Sequence, residues 1–321
     1  YLPAINDMAF YYTYGIPNVL PPDCFAAKSW TEAAANAKYV PSMLKLGQLY
    51  EEGVCGEEPD QAQALEWYEK AALSKDPAAQ YRVGMAYRRG IGASPNMDEA
   101  VKWISKAAAQ KHGPALAAMG YFYKEGIGVE QDYEKALRYF KAGDINGDPE
   151  GLYAMADMYL NGLGVEQDEQ RGRQLLESAG AAGYTQAYVQ LGEASYGVQD
   201  YAAAKRYYQA CGLQGNVYCQ YKMCYMLWAA QGGHQQTEEA YAWCAAGAEL
   251  GGGEAAGLFA EIANYNFLAP DALKAARVRA QGIVTAAREF LRDQENPSFA
   301  KKRRTQPQPE TEQEQSEEPQ E

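Results

Sequence analysis

An all-helical α/α solenoid of about eight antiparallel helix pairs is the fold class this sequence predicts. Three observations carry that prediction. First, a motif of alanine, an aromatic three residues on and a small residue four later recurs along the chain. Its copies are Ala27/Trp30/Ala34, Ala64/Trp67/Ala71, Ala100/Trp103/Ala107, Ala136/Tyr139/Gly143, Gly172/Leu175/Ala179, Ala204/Tyr207/Cys211 and Ala240/Trp243/Gly247, with a degenerate last copy at Ala275/Val278/Gly282. Second, the copies are spaced by 37, 36, 36, 36, 32, 36 and 35 residues, the near-constant period of stacked units. Third, helix-capping side chains and glycine turns each fall at a fixed phase of that period.

The elements follow in order. Residues 1–41, with Pro17, Pro21 and Pro22, read as a degenerate N-terminal repeat or cap. Residues 42–253 hold six repeats. In the clearest of them, Ala115, Met119 and Tyr123 lie four apart on one face of a first helix. Gly126 and Gly128 end that helix, and Asp132 is placed to cap a second one. Asp23, Asp60, Asn96, Asp168 and Asp200 hold the equivalent position. On the second helix Ala136, Tyr139 and Gly143 form one stripe. The first helices offer a small residue of their own at Gly47, Gly84, Gly120, Ala156, Gly192 and Cys224, so small-against-small packing is expected within each pair. The fifth copy has a shortened turn at Gly197-Val198-Gln199-Asp200. Residues 254–295 read as a degenerate repeat with a capping helix. Residues 296–321 carry Lys301-Lys-Arg-Arg304 and then Gln, Glu and Pro, with nothing to bury, and are expected to be a disordered acidic tail.

The bulk composition narrows the function classes. A formal charge of −13 argues against a nucleic-acid binder, which needs a basic footprint. No apolar run approaches the ~20 residues that span a bilayer. The chain starts at Tyr1 rather than Met, without a basic-then-apolar leader, and a trimmed or mature end is the expectation. Six cysteines are present: Cys24, Cys55, Cys211, Cys219, Cys224 and Cys244. Cys211 and Cys224 occupy small-residue slots of the repeat, where a plain buried thiol and a disulfide are equally good readings.

Leu46-Gly47-x-x-Tyr50, Gly126-Ile127-Gly128-Val129, Gly162-Leu163-Gly164-Val165, Lys135-Ala136 and Trp67-Tyr68-Glu69-Lys70-Ala71-Ala72 together resemble the SEL-one-like repeat, a relative of the tetratricopeptide repeat. The resemblance covers residues 42–250 well and 8–41 and 254–292 in degraded form. With it, the fold reads as a right-handed, tetratricopeptide-like superhelix. Proteins of this kind are frequent in bacteria, often in the periplasm or secreted. That implies a periplasmic or secreted location here, with a cytoplasmic one as the alternative.

No catalytic constellation is present, and no enzyme, cofactor or metal site is expected. Both histidines, His112 and His234, fall in predicted connections between helices. The Gly-x-Gly-Val segments lack a third glycine and follow helices rather than strands, so they are turns and not phosphate loops. The surface of interest is the face of the first helices left over by packing, which the resemblance places along a concave groove. Counting from the Leu-Gly landmark puts Tyr81, Tyr121, Tyr153, Tyr196, Tyr221, Tyr225 and Trp228 there, with Arg88, Arg89 and Lys124 as a basic patch. Large aromatics beside charges suit a binding hot spot. The expected partner is another protein, through a peptide or helix whose carboxylate meets the basic patch. A peptidoglycan or polysaccharide strand in the same groove, or a purely architectural spacer, are the alternatives.

Overall fold

The structure is a computed structural model; it describes residues 2–14, 21–53, 57–145, 148–264 and 268–295. Cys55, Pro17 and the acidic tail lie outside these described residues. Among the described residues sixteen helices run in order: α1 (Leu2–Tyr14), α2 (Cys24–Asn36), α3 (Val40–Glu52), α4 (Gln61–Ala72), α5 (Pro77–Arg89), α6 (Met97–Ala109), α7 (Gly113–Glu125) and α8 (Tyr133–Ile145). They continue as α9 (Pro149–Asn161), α10 (Glu169–Ala181), α11 (Thr185–Gly197), α12 (Tyr201–Leu213), α13 (Val217–Trp228), α14 (Thr237–Glu249), α15 (Gly253–Asn264) and α16 (Pro270–Glu295). Two compact units result, Tyr1–Tyr184 and Thr185–Glu321. In the first, α1 to α10 form five helix pairs, each packed on the next. In the second, α11 to α14 form two more, and α15 and α16 both dock on α14.

Local chemistry sets the helix ends. Asp23, Asp60, Asn96, Asp132, Asp168 and Asp200 each accept the backbone N–H three residues on, at 2.8–3.1 Å. These bonds satisfy donors that no helix can pair internally. First helices start with a proline in α3, α5, α7 and α9, where its missing N–H costs nothing. They stop at Gly53, Gly90, Gly126 and Gly162, all left-handed, whose N–H groups close on the carbonyl four residues back.

The second glycine of each turn has a different job. A β-carbon on Gly92 would lie 2.2 Å from the Gln61 carbonyl oxygen, and one on Gly164 would lie 2.3 Å from Tyr133 Cβ. Gly128 approaches Val101 and Gly232 approaches Tyr201 in the same way. Each turn therefore presses its backbone against the second helix of the preceding repeat, which fixes how one pair stacks on another.

Within a pair the small residues do approach one another, a β-carbon on Gly84 lying 3.1 Å from the Ala100 carbonyl oxygen and one on Gly172 3.2 Å from that of Ala156, but the tighter contacts are small against large. Gly47 faces Tyr68, Gly84 faces Ile104, Gly120 faces Phe140 and Gly192 faces Tyr208. These large side chains sit four residues after the motif alanine and are fully buried or nearly so. The motif aromatics Trp67, Trp103 and Tyr139, three residues after it, are only half-buried.

The second unit departs from regularity where the sequence does. Residues 198–200 join α11 to α12, with Gln199 in the left-handed region at φ 61°. On α16 the buried stripe is Ala276, Ala280, Ile283, Val284 and Ala287. Val278 is exposed, so the degenerate last motif copy is one residue out of register with the packed face. Two buried disulfides, Cys211–Cys219 and Cys224–Cys244, tie α13 to α12 before it and α14 after it. The small-residue slots at Cys211 and Cys224 thus hold bridges rather than plain thiols.

Candidate functional site

The half-buried aromatic positions of the first helices fall into two groups, one in each unit. In the first unit Tyr81 lies on α5, Tyr121 on α7 and Tyr153 on α9, all partly exposed. Tyr81 leans on His112, ring centroids 5.4 Å apart. Tyr121 stands edge-on to Phe140 at 5.1 Å, and Tyr153 meets Tyr184 at 4.9 Å.

Two acids that the sequence reading passed over complete this group. Asp148 caps α9, accepting the Glu150 N–H at 3.0 Å, and is itself 8% exposed. Burial pushes its carboxyl above the ordinary range. The Glu150 carboxyl is also raised, by burial and then by Asp148, with Arg88 and the Tyr121 hydroxyl acting the other way. The acids act in turn on the tyrosines. Tyr121 and Tyr81 are raised first by burial and then by Glu150. Tyr184 is pushed up to about 12 by the same two causes.

The three basic residues do not form one free patch. Lys124 binds Asp157 at 2.6 Å and Glu125 at 3.3 Å. Burial disfavours its charge, but these hydrogen bonds outweigh that and raise its pKa. Arg88 lies over the Phe122 ring at 5.7 Å, while Arg89 is exposed at the end of α5. An incoming carboxylate would meet Lys124 with its charge already matched.

In the second unit Tyr196 lies on α11, and Tyr221, Tyr225 and Trp228 lie on α13. Tyr225 is the most open at 37% exposed, and its ring centroid is 6.2 Å from that of Tyr221. Tyr196 accepts a hydrogen bond from Gln231 at 3.0 Å. Its ring also covers the Lys222 ammonium at 4.3 Å, with Tyr208 and Tyr218 each at 5.5 Å. Glu193 binds the Tyr208 and Tyr218 hydroxyls at 2.5 and 2.6 Å and Lys222 at 3.2 Å. Burial would raise the Glu193 carboxyl, but these bonds together lower it. Here a lysine sits in a closed cage of aromatic faces and one carboxylate.

Chemically, both groups offer ring faces, hydroxyls and carboxylates suited to recognition. Among the described residues no cluster of three or more His, Cys, Asp or Glu could hold a metal ion, and no helix is long and apolar enough to cross a membrane.

Comparison with known proteins follows the same lines. The family model described as Sel1 repeat matches residues 2–39, 40–76, 77–112, 113–143, 149–184, 185–216 and 217–252. A crystal structure of a Sel1 repeat protein from Oxalobacter formigenes aligns with TM-score 0.62 and 25% identity, over 78% of this chain and 99% of that one. A protective antigen of uropathogenic Escherichia coli, described as displaying an SLR fold, aligns with TM-score 0.53 and 19% identity, over 92% of this chain and 72% of that one. Among curated proteins none matches the sequence.

Proposed function

Because the chain belongs to the Sel1 repeat family, we propose that it is a non-catalytic scaffold that captures a partner protein, laying a peptide or helix across the first-helix faces. The observation that carries this reading is the row Tyr81, Tyr121 and Tyr153, repeated on three successive first helices and left half-open. Rigid aromatics give contact area at small entropy cost, and their hydroxyls orient a partner's backbone. Tyr196, Tyr221, Tyr225 and Trp228 would serve the same purpose in the second unit. Arg89 supplies an exposed positive charge beside the row. Two buried disulfides suit an oxidising compartment, and a periplasmic or secreted setting is the location we favour.

The double variant Tyr121→Ala/Tyr153→Ala tests the proposal. Partner capture from the native source should fall at least about tenfold, since hot-spot truncations cost about 2 kcal/mol or more. Circular dichroism should show the helical content retained. Tyr121→Phe/Tyr153→Phe keeps the ring packing and should lose less. Unchanged capture by the alanine variant would overturn the groove reading. Loss of binding to purified cell-wall glycan in place of a protein would support the saccharide alternative. If truncation after residue 250 abolished capture while the tyrosine variants were silent, the chain would be a spacer.

A further inference from the structure

We propose that Tyr81, Tyr121, Tyr153 and Tyr184, together with Asp148 and Glu150, form a receptor for a cationic side chain, lysine or arginine, of the bound polypeptide. The proposal deepens the peptide-capture reading above and rests on it.

Asp148 is the starting point. One oxygen, Oδ1, caps α9; the other, Oδ2, is buried and has no hydrogen-bond partner. The residue is only 8% exposed. A buried carboxylate oxygen without a partner is costly, and native structures leave few of them. Capping alone does not explain it. Asp60 and Asp132 do the same job at the surface, and there the backbone N–H bonds hold the carboxyls below the ordinary range. Asp148 moves the other way because of its burial.

Glu150 adds a second acid two residues on, so two negative charges share a half-enclosed site. Among the described residues neither acid makes an ion pair. Arg88 acts on Glu150 from α5 without pairing with it, and Arg82 and Arg89 act on Tyr81. Lys124 is held by Asp157, and burial lowers the pKa of His112, beside Tyr81. Among the described residues, therefore, no cation forms an ion pair with either acid, and Arg88 acts on Glu150 only from a distance. Around the two acids stand Tyr81, Tyr121 and Tyr184, on which Glu150 and Asp148 both act, and Tyr153, whose ring meets Tyr184; tyrosine rings attract cations through their quadrupoles.

The protein contains its own precedent for the chemistry. In the second unit Lys222 lies among Tyr196, Tyr208 and Tyr218 and binds Glu193. The first unit assembles the same kinds of group, rings and carboxylates, and the ammonium nearest them, Lys124 at 6.0 Å from the Tyr121 ring, is bound to Asp157 and not to Asp148 or Glu150.

A pH dependence follows with a definite sign. Both carboxyls are raised in the folded protein, so their ionisation opposes folding, and stability falls as pH rises through that range. A bound cation needs them ionised. Binding should hold at neutral pH and weaken as pH falls through a range above ordinary carboxylate values. Protonation of His112 would act in the same direction.

The test titrates the full chain, its tyrosines 13C-labelled, with butylammonium and butylguanidinium. Saturable shifts of Tyr121, Tyr153 and Tyr184 are expected at neutral pH. Asp148→Asn/Glu150→Gln should weaken binding at least tenfold while leaving the melting temperature unchanged or higher. Should that variant fold poorly, Glu150→Gln alone should still weaken binding severalfold. The charge-matched surface variant Glu134→Gln/Glu169→Gln should bind like the parent. Equal weakening by that control, or no saturable shift, would overturn the cation receptor. If the probes fail while Tyr121→Ala/Tyr153→Ala still abolishes partner capture, peptide capture stands and only the cation site falls.

Discussion

Gly164→Ala is expected to destabilise the first unit by about 2–4 kcal/mol, while Gly162→Ala in the same turn should cost only about 1 kcal/mol. Both glycines have positive φ, +66° at Gly162 and +68° at Gly164. That conformation alone costs an L-residue about 1 kcal/mol or a little more. The difference lies in what the added methyl meets. At Gly162 the nearest atoms are 3.5 Å or more away, an ordinary contact. At Gly164 Tyr133 Cβ stands at 2.3 Å, and that atom is fixed to the α8 backbone and cannot swing aside. The α9–α10 turn would have to lift off α8. In a stacked array such damage falls on the interface between neighbouring units. Gly197→Ala is the control: its methyl meets nothing within 4 Å, and φ is not positive there. Urea unfolding followed by circular dichroism should therefore rank the three variants Gly197, Gly162, Gly164 in order of increasing loss.

Removing the Cys224–Cys244 bridge as Cys224→Ala/Cys244→Ala should cost the second unit about 3 kcal/mol or more. The bridge closes a loop of sequence separation 20, and loop-closure entropy alone accounts for roughly 3 kcal/mol. The Cys211–Cys219 bridge, of separation 8, should contribute roughly 2.5 kcal/mol on the same scale. Both act on α13, which carries Tyr221, Tyr225 and Trp228. Loss of either should lower the melting temperature of the second unit and leave the first unit's transition in place. All four sulfurs are buried, so thiol labelling must be done in denaturant. Without reductant, protein from its native source should show none of these four labelled. Six labelled thiols would place the chain in a reducing compartment instead.

The repeat phase made much of the fold legible. Six capping side chains and the glycine turns were visible because each is a local event, a side chain bonding three residues on or a backbone angle only glycine takes easily. The packing partners were less visible. A helix turns about 100° per residue, so the position four after the motif alanine lies about 40° from it and the position three after about 60°. Tyr68 and Phe140 at the former position therefore point more directly at the partner helix than the conspicuous, half-buried Trp67 and Tyr139 beside them. The disulfides were hidden because pairing depends on which helices become neighbours. Asp148 was hidden for a related reason. As a residue it is one more helix cap before a proline, and only the stacking of α9 on its neighbours buries it. Counting along the repeat reaches the first-helix tyrosines, but their ionic neighbours Glu150, Asp157 and Glu193 become meaningful only in three dimensions.

If partners are held on the first-helix faces, site-specific photocrosslinking will capture them there. Benzoylphenylalanine would be placed at Tyr153 on that face and, in a second chain, at Arg138, which is well exposed on α8. A crosslinked partner is expected from position 153 and none from position 138. Crosslinking from position 138 alone would contradict capture on that face.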